Sequence, residues 1–219
     1  TDSSGKRQDG ITFLLIDMSS PGVSVNKISS IDDHHSLNEV VFDNVRVPTA
    51  NRIGEEGKGW TYAKALLAHE RTSIAAVADS KRKLRELREL LAQEVSGGRP
   101  LSEDTQFQNR LSNTEIELMA LEYTELRVLA STADGKGPGV ESSLLKIKGT
   151  EIQQAIQQMY MDLAGYYSGV IHGEDTEESI GHAFGHSARQ AYMYGRAATI
   201  YGGSNEVQKN ITAKYVLGL

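Results

Sequence analysis

The stretch Leu66-Leu-Ala-His-Glu-Arg-Thr-Ser-Ile-Ala-Ala-Val77 carries the side chain of this protein best placed for proton transfer. Leu66, Leu67, Ile74 and Val77 fall at spacings that share one face of an α-helix, and Glu70 falls on that face with them. A lone carboxylate on an apolar stripe is costly unless it is paired, protonated or turned toward a pocket. Two roles are open to Glu70. It can pair with a basic side chain of a neighbouring helix, or it can serve as a general base whose pKa is raised by apolar neighbours.

The second informative stretch is Ile200-Tyr-Gly-Gly-Ser-Asn-Glu-Val-Gln208. Two glycines precede a helix whose expected N-cap is Ser204. The free N–H groups and positive dipole of such an end suit a phosphate or pyrophosphate, and glycines let a ligand approach the backbone closely. An ordinary helix start has the same residues, so both readings stand. Other chemistry is poorly supported. His182 and His186 are four apart, with His172 upstream, but Gly181 and Gly185 break the helix that would present them together. No cysteine or glutamate completes a zinc spacing, so no metal is expected. No serine–histidine–aspartate order is readable.

Composition narrows the classes. The 219 residues are 39% hydrophobic, contain no cysteine and carry a net charge of −6 with both signs interspersed. Disulfides and thiolate metal sites are excluded, and nucleic acid is not expected as a partner. The basic run Lys81-Arg82-Lys83, with Arg85 and Arg88, is interleaved with Glu86 and Glu89 and reads as a solvated helix face. No apolar run reaches membrane-spanning length and no signal peptide is visible, so a cytoplasmic protein that does not bind membranes is expected. The chain opens at Thr1 on a polar stretch, which suggests a fragment or a trimmed product.

The elements that must position these residues change character near residue 52. Ile11–Ile16, Val23–Val25, Val40–Phe42 and Val45–Val47 are short apolar or alternating runs separated by turn residues. They predict the end of an antiparallel β-domain over 1–52. From 53 to 219 the pattern is helical. One helix is expected from Trp60 to about Val95, stopped by Gly97-Gly98. A second starts at the N-cap Ser102 and carries Phe107, Leu111, Leu118, Leu121, Leu126 and Leu129. A third carries Leu145, Ile152, Ile156, Met159 and Leu163 and ends near Gly165. A long loop over 166–187 precedes two shorter helices, around Gln190–Thr199 and from Ser204 to about Leu217. The fold class is mainly α: an antiparallel four-helix bundle preceded by the last strands of a β-domain, α+β overall in a longer protein.

Three ordered motifs resemble one family: His69-Glu70-Arg71-Thr72, the Ile200–Gln208 stretch, and Val41-Phe-Asp-Asn-Val-Arg-Val-Pro48 with Gly57-Lys-Gly-Trp60. Together they look like acyl-CoA dehydrogenases, FAD-dependent α,β-desaturases of acyl-CoA thioesters in fatty acid metabolism. The resemblance covers nearly the whole chain. Many members carry the catalytic base as the glutamate of an Ile-Tyr-Glu-Gly-Thr motif; here Gly202 stands at that position. The long-chain and isovaleryl branches instead place the glutamate in a Glu-Arg pair on the first helix of the C-terminal domain, and Glu70-Arg71 resembles that arrangement.

The resemblance implies Glu70 as the base that removes the α-proton while hydride leaves Cβ for the flavin. It implies Ala68, His69 and Arg71 at the acyl-CoA site, and Gly203, Ser204, Asn205 and Glu206 at FAD. The family's Arg-x-x-Phe-Gly motif, which reaches the FAD of a neighbouring subunit, is replaced here by Gly97-Gly98-Arg99-Pro100-Leu101, with Arg99 as its substitute. The Gln-x-x-Gly-Gly stretch after the third helix is also absent, since this chain has Gln158-Met-Tyr-Met-Asp-Leu-Ala-Gly165. The implied partners are an acyl-CoA substrate, an electron-transfer flavoprotein or similar acceptor, and further subunits of a homo- or hetero-tetramer. The alternative is a non-catalytic subunit or assembly module of a hetero-oligomeric acyl-CoA dehydrogenase.

Overall fold

The computed structural model describes residues 4–5, 8–133, 139–169, 181 and 183–219, without the side chains of residues 68–72 and 183. Two compact units follow one another along the chain, Thr1–His69 and Glu70–Leu219.

The first unit holds short antiparallel pairings. β1 (Phe13–Leu14) is far shorter than the apolar run that contains it. β2 (Val23–Ile28) and β3 (Leu37–Phe42) form a ribbon in register from Val23↔Phe42 to Ile28↔Leu37, and β4 (Arg52–Ile53) pairs with β1. Val45–Val47 form no strand, contrary to their alternation; Asn44, at φ 49°, turns the chain there. Two-stranded ribbons close no core of their own, and the apolar residues Val25, Val40, Val41 and Phe42 are exposed.

α1 (Gly59–Ile74) runs out of this unit, and α2 (Val77–Gln93) follows it. The single long helix expected from the periodicity is therefore broken. Ala76 sits in the left-handed region at φ 48°, ψ 41°, a conformation that costs an alanine about 1–2 kcal/mol. Val95, expected to extend the stripe, lies instead in a two-residue strand, β5 (Val95–Ser96), paired with β6 (Arg99–Pro100) across Gly97-Gly98.

α3 (Thr105–Ala133) starts two residues later than expected, because Leu101–Glu103 form a 3₁₀ turn. Asp104, not Ser102, supplies the cap: its Oδ1 accepts from the backbone N–H groups of Gln106 and Phe107 at 2.8 and 3.0 Å. α4 (Glu141–Ala164) ends at Gly165 as expected. α5 (Ala183–Gly195) begins seven positions before the helix anticipated at Gln190, and α6 (Asn205–Thr212) closes into a π turn over Ala213–Leu217.

The core of the second unit is the expected stripe of each long helix. Leu84, Leu87 and Leu91 of α2 meet Leu111, Leu118 and Leu121 of α3 and Leu145, Ile152, Ile156 and Met159 of α4. The register of the ion pairs shows the helices to be antiparallel. Lys81 and Arg88 of α2 pair with Glu122 and Glu115 of α3 in reverse order. Arg110 and Glu117 of α3 pair likewise with Asp162 and Lys148 of α4. The basic run is thus a solvated, paired face, and each exposed pair adds no more than about 1 kcal/mol. Leu126 and Leu129, anticipated in the core, are exposed.

Candidate functional site

Four residues of α4 recur at i, i+3, i+4 and i+7 and so share one face: Lys146, Gly149, Thr150 and Gln153. This face holds both informative stretches. Gln153 Nε2 donates to the carbonyl of Ile74 at 2.9 Å, satisfying a backbone acceptor freed where α1 ends. A Cβ on Gly149 would lie 2.6 Å from Ala75 Cα and 2.7 Å from Ala75 O, so only glycine lets α4 approach the α1–α2 break this closely. Ala75 is completely buried there. The break therefore has a tertiary cause: the close approach of α4 overrides the high helix propensity of two consecutive alanines.

Lys146 and Thr150, on the same face, reach the other stretch. Lys146 Nζ donates to Asn205 Oδ1 at 2.9 Å, and Lys146, Thr150 and Asn205 are all buried. Burial pushes the Lys146 ammonium below the usual lysine range, with Glu206 acting in the opposite sense.

The loop before α6 needs its glycines. Gly202 and Gly203 lie at φ 65° and 84°. A Cβ on Gly202 would collide with Cδ1 of Ile74, and one on Gly203 with Nε2 of Gln208. The loop is thus packed from beneath, and Gln208 Nε2 also donates to Gly202 O at 3.3 Å. Ser204 is the N-cap as expected, its Oγ accepting from Val207 N at 3.3 Å. Glu206 lies in the first turn, where its own backbone N–H and the Ser204 hydroxyl hold its carboxyl below the usual range. Its charge neutralises part of the positive helix end.

The structure joins the two stretches through one contact. Ile74, one turn beyond Glu70 on α1, occupies the space that a side chain at position 202 would need. Ala68, His69, Glu70 and Arg71 lie on the last turns of α1, with their side chains outside the description. Leu66 and Leu67, which share the Glu70 face, are 64% and 38% exposed. Gly203 and Ser204 line the loop. The Asn205 side chain turns inward to Lys146. Arg99 stands apart on the β5–β6 hairpin, paired across from Ser96. His172 and His182 lie outside the described residues, and His186 is on α5. Among the described residues no acidic or histidine cluster is arranged to hold a metal ion, and no helix is long and apolar enough to cross a membrane.

A groove of about 460 Å³ between α2, α4 and α5, lined by Leu90, Ile156, Tyr160 and Phe184 among others, shares no lining residue with the junction. Cavity volume alone would miss the site. The motifs of the sequence do not include Lys146, Gly149, Thr150 or Gln153 either. Their i, i+3, i+4, i+7 spacing is the available signal, a polar and glycine-bearing face that lies beside the apolar stripe of Leu145, Ile152, Ile156 and Met159.

Residues 57–217 match the sequence profile of the acyl-CoA dehydrogenase C-terminal domain. The chain belongs to the acyl-CoA dehydrogenase family. It is 29% identical over its full length to the acyl-CoA dehydrogenase IpdE1 of Mycolicibacterium smegmatis, covering 52% of that protein. Among solved structures it is similar to an acyl-CoA dehydrogenase from Geobacillus kaustophilus, with 27% identity, a TM-score of 0.81 and coverage of 100% of this chain and 55% of that one. It is also similar to the ChsE4-ChsE5 complex from Mycobacterium tuberculosis, with 27% identity, a TM-score of 0.80 and coverage of 98% and 54%. The chain spans about half the length of the relatives it matches. The acyl-CoA dehydrogenase family is an oxidoreductase family dependent on FAD.

The loop fits such a cofactor. Its two glycines present bare backbone, and the buried Gln208 Oε1 has no hydrogen-bond partner among the described residues. Among the described residues the Ser204 hydroxyl serves Val207 and Glu206, so the first turn of α6 offers the Asn205 N–H.

Proposed function

We propose that this chain supplies the base-bearing and nucleotide-binding part of an acyl-CoA dehydrogenase that introduces an α,β double bond into an acyl-CoA thioester. Residues 1–52 would then end a middle β-domain and 53–219 form the helical domain. The carrying observation is the Ile74–Gly202 contact. A side chain at position 202 would have to push aside the end of Ile74 in a turn at φ 65°, and Glu70 stands one helical turn before Ile74, on the same face of α1. One arrangement accounts for both the empty loop position and the carboxylate on the helix.

In this mechanism Glu70 takes the α-proton of the thioester, for which general-base catalysis typically supplies about 10²–10⁴-fold. His69 and Arg71, flanking it, orient the thioester, and Ala68 leaves room for it. FAD, when bound, supplies the acceptor for the hydride that leaves Cβ. Gly203, Ser204 and the backbone of Asn205 and Glu206 would hold the nucleotide by hydrogen bonds, and Arg99 would serve the cofactor of a neighbouring subunit. The complete enzyme is a cytoplasmic homo- or hetero-tetramer that passes electrons to an electron-transfer flavoprotein or a similar acceptor. A relative that is itself a two-component complex supports the assembly.

The test is the full-length protein with a panel of acyl-CoA thioesters and an artificial electron acceptor. A yellow protein bleached by at least one thioester is expected. A colourless protein that takes up no added FAD would favour a non-catalytic subunit.

A further inference from the structure

We propose that Lys146 is a positioning residue whose buried ammonium, through Asn205, holds the Gly202–Ser204 turn in the form that receives the flavin nucleotide. The inference rests on the flavin reading of that turn and adds a residue outside it.

The hydrogen bonding of Asn205 singles out Lys146. Asn205 Oδ1 receives Lys146 Nζ at 2.9 Å and faces Thr150 Oγ1 at 3.4 Å. The one hydroxyl hydrogen of Thr150 has closer acceptors in the carbonyls of Lys146 and Ile147, at 2.9 and 3.0 Å. Asn205 Oδ1 therefore depends on the lysine for a donor. Asn205 opens α6 directly after the N-cap, so fixing its side chain fixes the direction in which the first-turn N–H groups point. Gln208, three residues further and on the same face, ties Gly202 O from beneath. The turn is thus clamped at both ends by buried polar side chains.

Stability alone does not account for a lysine here. A charge with no solvent exposure carries a desolvation cost, and apolar residues of similar volume commonly replace buried polar pairs without loss. Methionine has the length of lysine and no charge to desolvate. A lysine that fixes the nucleotide-receiving turn has a use that methionine cannot fill. Gly149 and Gln153 extend the same face of α4 to the end of the Glu70 helix, so the residue that orients the turn belongs to the element that registers both stretches.

The test uses the full-length protein freed of flavin and compares wild type, Lys146→Met and the double variant Lys146→Met/Asn205→Leu, which leaves no unpaired polar atom. Three quantities are measured: the melting temperature of the apoprotein, amide hydrogen exchange over residues 202–206, and the dissociation constant for FAD. Lys146→Met should weaken FAD on the order of tenfold and speed exchange at 202–206. The double variant should recover the melting temperature but neither of the other two. Wild-type affinity and wild-type exchange in Lys146→Met would overturn the inference. So would a double variant that regains affinity together with stability, because the pair would then only fill space. If Lys146→Met does not fold, the double variant carries the comparison alone. Wild-type protein that binds no FAD would remove the flavin reading, while faster exchange at 202–206 in the variant would still show Lys146 holding the turn.

Discussion

Gly149→Ala separates two opposing effects of known size. By helix propensity alone the substitution inside α4 should stabilise the protein by about 1 kcal/mol. The packing predicts the opposite sign. The added Cβ would stand 2.6 Å from Ala75 Cα, whereas carbon atoms in contact prefer about 3.5–4.0 Å. Backbone lies on both sides, so no rotamer change relieves the overlap and the two segments must part by about 1 Å. Overpacking of this kind costs about 1–3 kcal/mol. The same movement stretches the 2.9 Å bond from Gln153 to Ile74 O past hydrogen-bonding distance, adding about 0.5–1.5 kcal/mol. The net loss is about 0.5–3.5 kcal/mol. At roughly 2–4 °C per kcal/mol for a protein of this size, a loss of about 2 kcal/mol lowers the melting temperature by about 4–8 °C. Calorimetry of the apoprotein measures it. A melting temperature equal to or above wild type would refute the close approach as the cause of the break after α1.

Two other outcomes follow from the same geometry. Gly203→Val should release FAD during purification, since the position needs φ 84° and the added side chain meets Gln208 beneath the loop; unchanged flavin content would remove the loop from the cofactor site. Tyr160, whose hydroxyl donates to Lys83 O at 2.9 Å, has its pKa raised by burial from 10.0 to about 12. The folded state then holds the proton longer than the unfolded state, so stability should fall as pH rises from 10 to 12, and Tyr160→Phe should flatten that slope in alkaline denaturation curves.

The sequence showed what depends on periodicity and local chemistry. The leucine stripes of α2 and α3, the end of α4 at Gly165 and the cap at Ser204 all follow from residue spacing and type. The break at Ala76 does not, because its cause is Gly149, 73 positions away in a different helix. Val95 and Leu126 fit an apolar period that their surroundings do not bury, since periodicity indicates a face but not what covers it. Asp104 displaced Ser102 as a cap because both are good capping residues, and a 3₁₀ turn between them moved the helix start. At the candidate site the two stretches were legible from Glu70, Gly202 and Ser204. Their junction was not, because Ile74, Lys146 and Gln153 become informative only when three helices meet.

The role of Glu70 is tested most directly by Glu70→Gln in the full-length protein, with flavin content, melting temperature and the rate of flavin bleaching by acyl-CoA measured on one preparation. Glutamine keeps the shape and hydrogen bonding of glutamate but cannot take the α-proton. Bleaching per bound flavin should fall by about 10²–10⁴ while flavin content and melting temperature hold. A structural ion pair gives the reverse pattern: about 3–5 kcal/mol of stability lost if the pair is buried, flavin lost with it, and bleaching per remaining flavin near wild type. That second result would contradict Glu70 as the base.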